Sequence, residues 1–104
     1  MSKKMDIKNL KIMHHITDRD FLGYKITKHS VLTRHHIIKK VHYEIDDITN
    51  YALLTTEAHT KLHQIESTNQ TLYNRITDFF LETKRDCRLL DDSYYSDLEK
   101  VLRR

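Results

Sequence analysis

The apolar positions of this chain are irregular over its first thirty residues and fall into order from Val31 onward. Leu10 and Ile12 alternate with polar neighbours, the two-residue period of a strand. Phe21-Leu22-Gly23-Tyr24 reads as a turn flanked by apolar groups, built on the single glycine of the chain. Val31-Leu32 then leads through Thr33-Arg34 into His35-His36-Ile37-Ile38, a strand entering a hairpin. Residues 39–49 form its connection, too long for a tight turn, and Asn50-Tyr51-Ala52-Leu53-Leu54-Thr55 is the returning strand.

Thr55 or Thr56 can cap a helix that has Glu57 in its first turn. Ala58, Leu62 and Ile65 give that helix an apolar face, and His59, His63 and Glu66 occupy the neighbouring stripe. Ser67-Thr68-Asn69 interrupts or bends it. A second helix follows with Leu72, Ile76, Phe79, Phe80 and Cys87 spaced to share one face. Asp91-Asp92-Ser93 signals the start of a third, whose apolar positions are Tyr94, Leu98, Val101 and Leu102. The expected fold class is α+β: a small β-hairpin plus helix over residues 31–66, covered by two amphipathic helices over 69–104. Such a cover is needed because an isolated two-stranded ribbon is only marginally stable.

At 104 residues the chain is one domain with a small core. Its apolar fraction of 38 % and charged fraction of 32 % fit a wet-surfaced soluble protein. No stretch approaches the ~20 apolar residues of a membrane span, and Met1 to Leu10 lacks the apolar core of a secretory signal. With Cys87 as the only cysteine, internal disulfides and paired-cysteine zinc knuckles are excluded, and a reducing cytoplasm is the expected setting. The formal charge of +3 does not by itself imply nucleic acid. Lys3, Lys4, Lys8 and Lys11 crowd the N-terminus, and Lys25, Lys28, Arg34, Lys39 and Lys40 surround the first hairpin strand. Glu44, Asp46 and Asp47 follow at once, so the local field is mixed.

Residues four apart on a helix project from one side, so His59 and His63 can share a metal ion. Ala58 and Thr60 flank His59, so no acid stands beside the pair as in a zinc-protease helix. A hairpin packed on this helix brings His35 or His36 to it as a third ligand. Only one of them fits unless the strand bulges there, because adjacent strand residues face opposite sides.

The ordered set His35-His36, then Asn50 fourteen residues after the second, then His59 and His63, resembles the ββα-metal motif of HNH nucleases. "TRHHIIKK…DITNYALLTTEAHTKLHQIE" is similar to the His-Asn-His-His order of colicin-type DNases, over about a third of the chain. "LHQIE" followed by "LYNRITDFF" resembles small bacterial and phage HNH proteins. The resemblance implies His35, His59 and His63 as metal ligands, His36 as the general base that activates water, and Asn50 as the residue that holds the base. It implies one divalent ion (magnesium, manganese, zinc or nickel), DNA as substrate and docking at the minor groove. Arg34, Lys39 and Lys40 would contact the nucleic-acid backbone without reading sequence. The proline common after the histidine pair is replaced by Lys39 and Lys40, and Val41-His42-Tyr43-Glu44 has none of the usual glycines.

Other histidines have plainer readings. His14-His15 is followed by no returning strand with an asparagine at matching distance, and is expected to be non-catalytic. His29 and His42 are expected at the surface, with His42 the reserve ligand. Cys87 is expected in the core, and Tyr43, Tyr51, Tyr94 and Tyr95 in amphipathic packing. A rival reading keeps the HNH fold without catalysis, as a nucleic-acid- or protein-binding protein of a phage or mobile element that blocks a host system. A further rival is a histidine-rich metal-binding or helical interaction module without nuclease ancestry. A homodimer or a protein partner is compatible with either nuclease or binding roles.

Overall fold

The computed structural model describes residues 3–38 and 48–103. Residues 39–47, which include Lys39, Lys40, His42 and Tyr43, lie outside the described residues. Element order is α1 (Lys3–Met13), β1 (Leu32–His36), a short 3-10 turn (Ile48–Asn50), β2 (Tyr51–Thr55), α2 (Thr56–Thr68), α3 (Gln70–Arg85) and α4 (Asp92–Arg103). The fold is α+β, an antiparallel hairpin followed by a helix, with further helices around it. Among the described residues no helix is long and apolar enough to cross a membrane.

The N-terminal segment corrects the strand expected at Leu10 and Ile12: it is helix α1. Lys, Met, Leu and Ile without glycine or proline are compatible with helix. The positions that go inward are Asp6, Leu10 and His14, four apart, while Ile12 is 70 % exposed. The Leu10/Ile12 alternation was too short to distinguish a strand from one face of this helix. α1 ends without glycine. His15 takes φ 51°, its N–H bonds the Ile12 carbonyl at 3.3 Å, and the Ile16 N–H reaches back to Lys11 at 2.9 Å. This is the Schellman pattern, which closes the orphan carbonyls of the last turn.

The turn expected at Phe21-Leu22-Gly23-Tyr24 is present, with Gly23 at φ 86°. Its organiser is Asp20, fully buried. One carboxylate oxygen accepts from Leu22 N–H at 2.9 Å and Tyr24 N–H at 3.0 Å, and the other from Thr55 N–H at 2.8 Å. Asp20 thus ties the turn to the start of α2. Burial pushes its carboxyl above the usual carboxylate range, against the pull of those N–H donors.

β1 and β2 pair antiparallel, with Thr33 opposite Leu54, Arg34 opposite Leu53, His35 opposite Ala52 and His36 opposite Tyr51. Strand alternation puts Thr33 and His35 on one face and Arg34 and His36 on the other. The first face meets α2 and the second meets α1: Thr33 and His35 touch α2 histidines, and Arg34 binds Asp6 of α1 at 2.5 Å. All five β2 residues are buried, so the ribbon is covered on both sides.

Thr55 caps α2, its side chain accepting from Ala58 N–H at 3.2 Å. Ala58, Leu62 and Ile65 are its buried face, as the periodicity predicts. The expected interruption falls at Asn69, which bonds back to Ile65 and also caps α3 by accepting from Leu72 N–H at 3.1 Å. Phe21, Phe80, Phe79 and Tyr94 form an aromatic cluster between the turn, α3 and α4, and the Tyr94 hydroxyl donates to the Phe21 carbonyl. Leu98 of α4 is buried and Leu102 is 37 % exposed.

Cys87 corrects the sequence reading: it is exposed, not packed. Helix α3 ends at Arg85, two residues before Cys87. Cys87 adopts φ 47°, and Cys87 N–H to Lys84 and Arg88 N–H to Thr83 repeat the Schellman closure of α1. A left-handed residue leaves the helical path, so the seven-residue step from Phe80 no longer places it on the same face.

Candidate metal centre

The centre is assembled where β1 lies on α2. His35 projects from the strand face that meets the helix, and it is 4 % exposed. Its cross-strand neighbour on that face is Ala52, the smallest side chain of β2. Four residues apart on α2, His59 and His63 stack with ring centroids 4.8 Å apart and 23° between planes. The ring of His35 stands edge-on to both, at 5.2 Å from His59 and 5.9 Å from His63. One ring nitrogen from each of the three lies within 4.8 Å of the others. Burial is graded, from buried His35 through half-buried His59 to exposed His63, so the cluster opens to solvent on one side.

Three imidazoles at this separation can hold one metal ion. The donor set suits it chemically, because a neutral imidazole is the commonest metal ligand in proteins. Desolvation lowers the His35 pKa to about 3, and the nearby His59, His63 and His36 lower it too, against the opposing pull of Glu66. His35 is therefore neutral across the physiological range. The helix histidines each have an oxygen partner at Nδ1: the Thr33 hydroxyl at 2.8 Å for His59 and the Glu66 carboxylate at 3.3 Å for His63.

Asn50 is buried at the head of β2. Its side-chain oxygen accepts from Ile38 N–H at 2.9 Å, its amide donates to the Ile38 carbonyl at 2.8 Å, and its own carbonyl accepts from Ile37 N–H at 2.9 Å. It clamps the backbone just past the histidine pair. His36, the last residue of β1, is half-buried, and its ring meets the edge of Tyr51 at 5.0 Å, on the ribbon face away from His35. Arg34 is paired with buried Asp6 and lies over the Tyr51 ring at 5.0 Å. Its guanidinium is thus engaged within the fold. Lys39 and Lys40 lie outside the described residues.

Thr33 was missed in the sequence. The available signal was its position two residues before His35, which puts both on one strand face. Glu66 was visible on the histidine stripe of α2, but only the structure pairs it with His63.

No protein-family model, curated protein or solved structure matches the chain. The likeness to a ββα-metal arrangement is carried by the hairpin–helix order and the histidine cluster themselves.

Proposed function

We propose that this protein is a metal-dependent endonuclease of the HNH type that hydrolyses DNA phosphodiester bonds with a single divalent ion. The observation that carries the reading is the convergence of His35 from the hairpin with His59 and His63 from the following helix. A divalent ion held there would supply Lewis-acid stabilisation of charge developing on the phosphate and the leaving 3′ oxygen. His36 is the base: an imidazole nitrogen can accept the proton of an attacking water, and it follows a ligand directly in the chain. Asn50 holds the base indirectly, by clamping Ile38 two residues beyond it. Phosphate contacts are assigned to Lys39, Lys40 and Arg34, whose guanidinium also pairs with Asp6.

A second reading is a metal-holding binding protein of the same arrangement without cleavage, such as a phage or mobile-element inhibitor. The specific observation in its favour is the ring of His36, which lies on the strand face opposite His35. Supercoiled plasmid incubated with magnesium, manganese, nickel or zinc separates the two. The nuclease reading expects metal-dependent nicking or linearisation, abolished by a chelator and reduced about 10²–10⁴-fold by His36→Ala, the range for loss of a general base. A folded protein that binds metal and cuts nothing supports the second reading.

A further inference from the structure

Thr33 has one hydroxyl proton and has already committed it. Its Oγ1 lies 2.9 Å from the Leu54 carbonyl, which can only accept. The same Oγ1 lies 2.8 Å from Nδ1 of His59, so this contact must run the other way, with the imidazole donating. His59 is therefore the Nδ1–H tautomer, and its remaining lone pair sits on Nε2. One turn along α2, Glu66 has the same relation to His63: an ionised carboxylate only accepts, so Nδ1 of His63 donates across 3.3 Å and the lone pair again falls on Nε2. A strand hydroxyl and a helix carboxylate thus set both helix histidines to the same tautomer, on rings that stack face to face.

We infer that Thr33 and Glu66 are the positioning residues of the metal centre, fixing His59 and His63 as Nε2 ligands before any ion arrives. The outer hydrogen bond of a metal-binding imidazole sets both its ring orientation and its basicity. Thr33 is the stronger of the two. Its bond is shorter, half-buried and anchored at both ends, on Leu54 and on His59. The Glu66 pair is longer, and His63 is 54 % exposed there. Two preset imidazole nitrogens plus His35 favour zinc or nickel over magnesium, which prefers oxygen ligands. This inference rests on the metal-centre reading and is independent of DNA cleavage.

The test uses the full chain and zinc alone. Metal-free protein with ¹⁵N-labelled histidine is examined by long-range ¹H–¹⁵N NMR, and zinc affinity is measured by competition with a chromophoric chelator. The wild type is expected to show His59 protonated at Nδ1. Thr33→Val, which keeps the branched shape without the hydroxyl, is expected to weaken zinc binding roughly 10–100-fold, and Thr33→Ser to restore it. Glu66→Gln is expected to lose less. A wild-type His59 protonated at Nε2 overturns the inference, as does a folded Thr33→Val chain with wild-type affinity. A wild type that takes up no zinc, or whose uptake is indifferent to His59→Ala, overturns the centre itself along with it.

Discussion

Each of the two adjacent histidine pairs buries its first member, and the two burials have different consequences. His14 is fully buried at the end of α1, and His35 is nearly so on β1. In both cases desolvation is the largest cause of a lowered pKa, to about 4 for His14 and about 3 for His35. The difference lies in what surrounds the rings. Nδ1 of His14 donates to the Arg88 carbonyl at 2.7 Å, and Nε2 meets the ammonium of Lys84 at 3.1 Å, with Phe21 edge-on at 5.1 Å. Its polar atoms are answered by a carbonyl and an ammonium, and it joins the ends of α1 and α3. His35 faces two more imidazoles. A buried ring among complementary partners holds a fold together. A buried ring among like ones is a site that a cation would complete.

Exchanging the losses sharpens this contrast most. His14→Ala is expected to cost about 3 kcal/mol or more, since it opens a cavity and strips partners from the Arg88 carbonyl and from Lys84. Its folded fraction should keep wild-type zinc affinity. His35→Ala is expected to do the reverse, leaving metal-free stability much closer to wild type and abolishing tight zinc uptake. Denaturation with and without metal reads both. Zinc at about 100 times its dissociation constant should stabilise the wild type by roughly 2.7 kcal/mol, and His35→Ala by almost nothing. Equal zinc stabilisation of the two variants would erase the distinction.

Acid gives a smaller effect. For His14 the unfolded chain takes up a proton near pH 6.5, whereas the folded chain resists to about pH 4. Between those values the unfolded state binds more protons, so stability falls as pH falls. A shift of this size is worth roughly 3 kcal/mol, lost progressively between pH 6.5 and 4. The Lys84 ammonium facing Nε2 acts in the same direction, because it repels the imidazolium, while the Arg88 carbonyl opposes it. Chelator-treated His14→Gln, compared with wild type by urea denaturation across that range, should show a flatter profile. An unchanged slope would mean that His14 takes up its proton as readily in the folded chain as in the unfolded one.

The hairpin–helix unit was legible because its signals are local. Alternation around His35, a capping threonine at Thr55 and a four-residue step from His59 to His63 each settle a local geometry. A single packing contact then closes the triad. Asn50 stood out by its place at the head of the returning strand, and its side chain holds the backbone of Ile38. What escaped depends on distant partners. Asp6 of α1 is buried where Arg34 of the hairpin comes to pair with it. Asp20 is a turn residue by type, and its bond to Thr55 spans 35 positions. Thr33 looks like any strand threonine until α2 lies across it. Cys87 followed the helical period, and nothing in its neighbours marked the end of α3.

That last miss yields the smallest prediction and returns to the histidine pairs. His15 differs from His36 in backbone: His15 is left-handed, whereas His36 is in an extended strand. Both helix ends that turn through this region, at His15 and Cys87, use a residue other than the usual glycine. A left-handed conformation costs a Cβ-bearing residue about 1–2 kcal/mol, which glycine would relieve. Glycine also gives the unfolded chain more freedom, opposing the gain by roughly 0.4–1 kcal/mol. The net for His15→Gly or Cys87→Gly should be a gain of about 0.5 kcal/mol, near 2–4 °C in Tm for a domain of this size. Both positions are exposed, so little packing is lost. A β-branched residue there should go the other way: His15→Val is expected below wild type, because the branch crowds the left-handed backbone. If valine matched glycine at His15, the closure of α1 would not be held by the left-handed turn. The burial of His14 one residue earlier would then owe nothing to it.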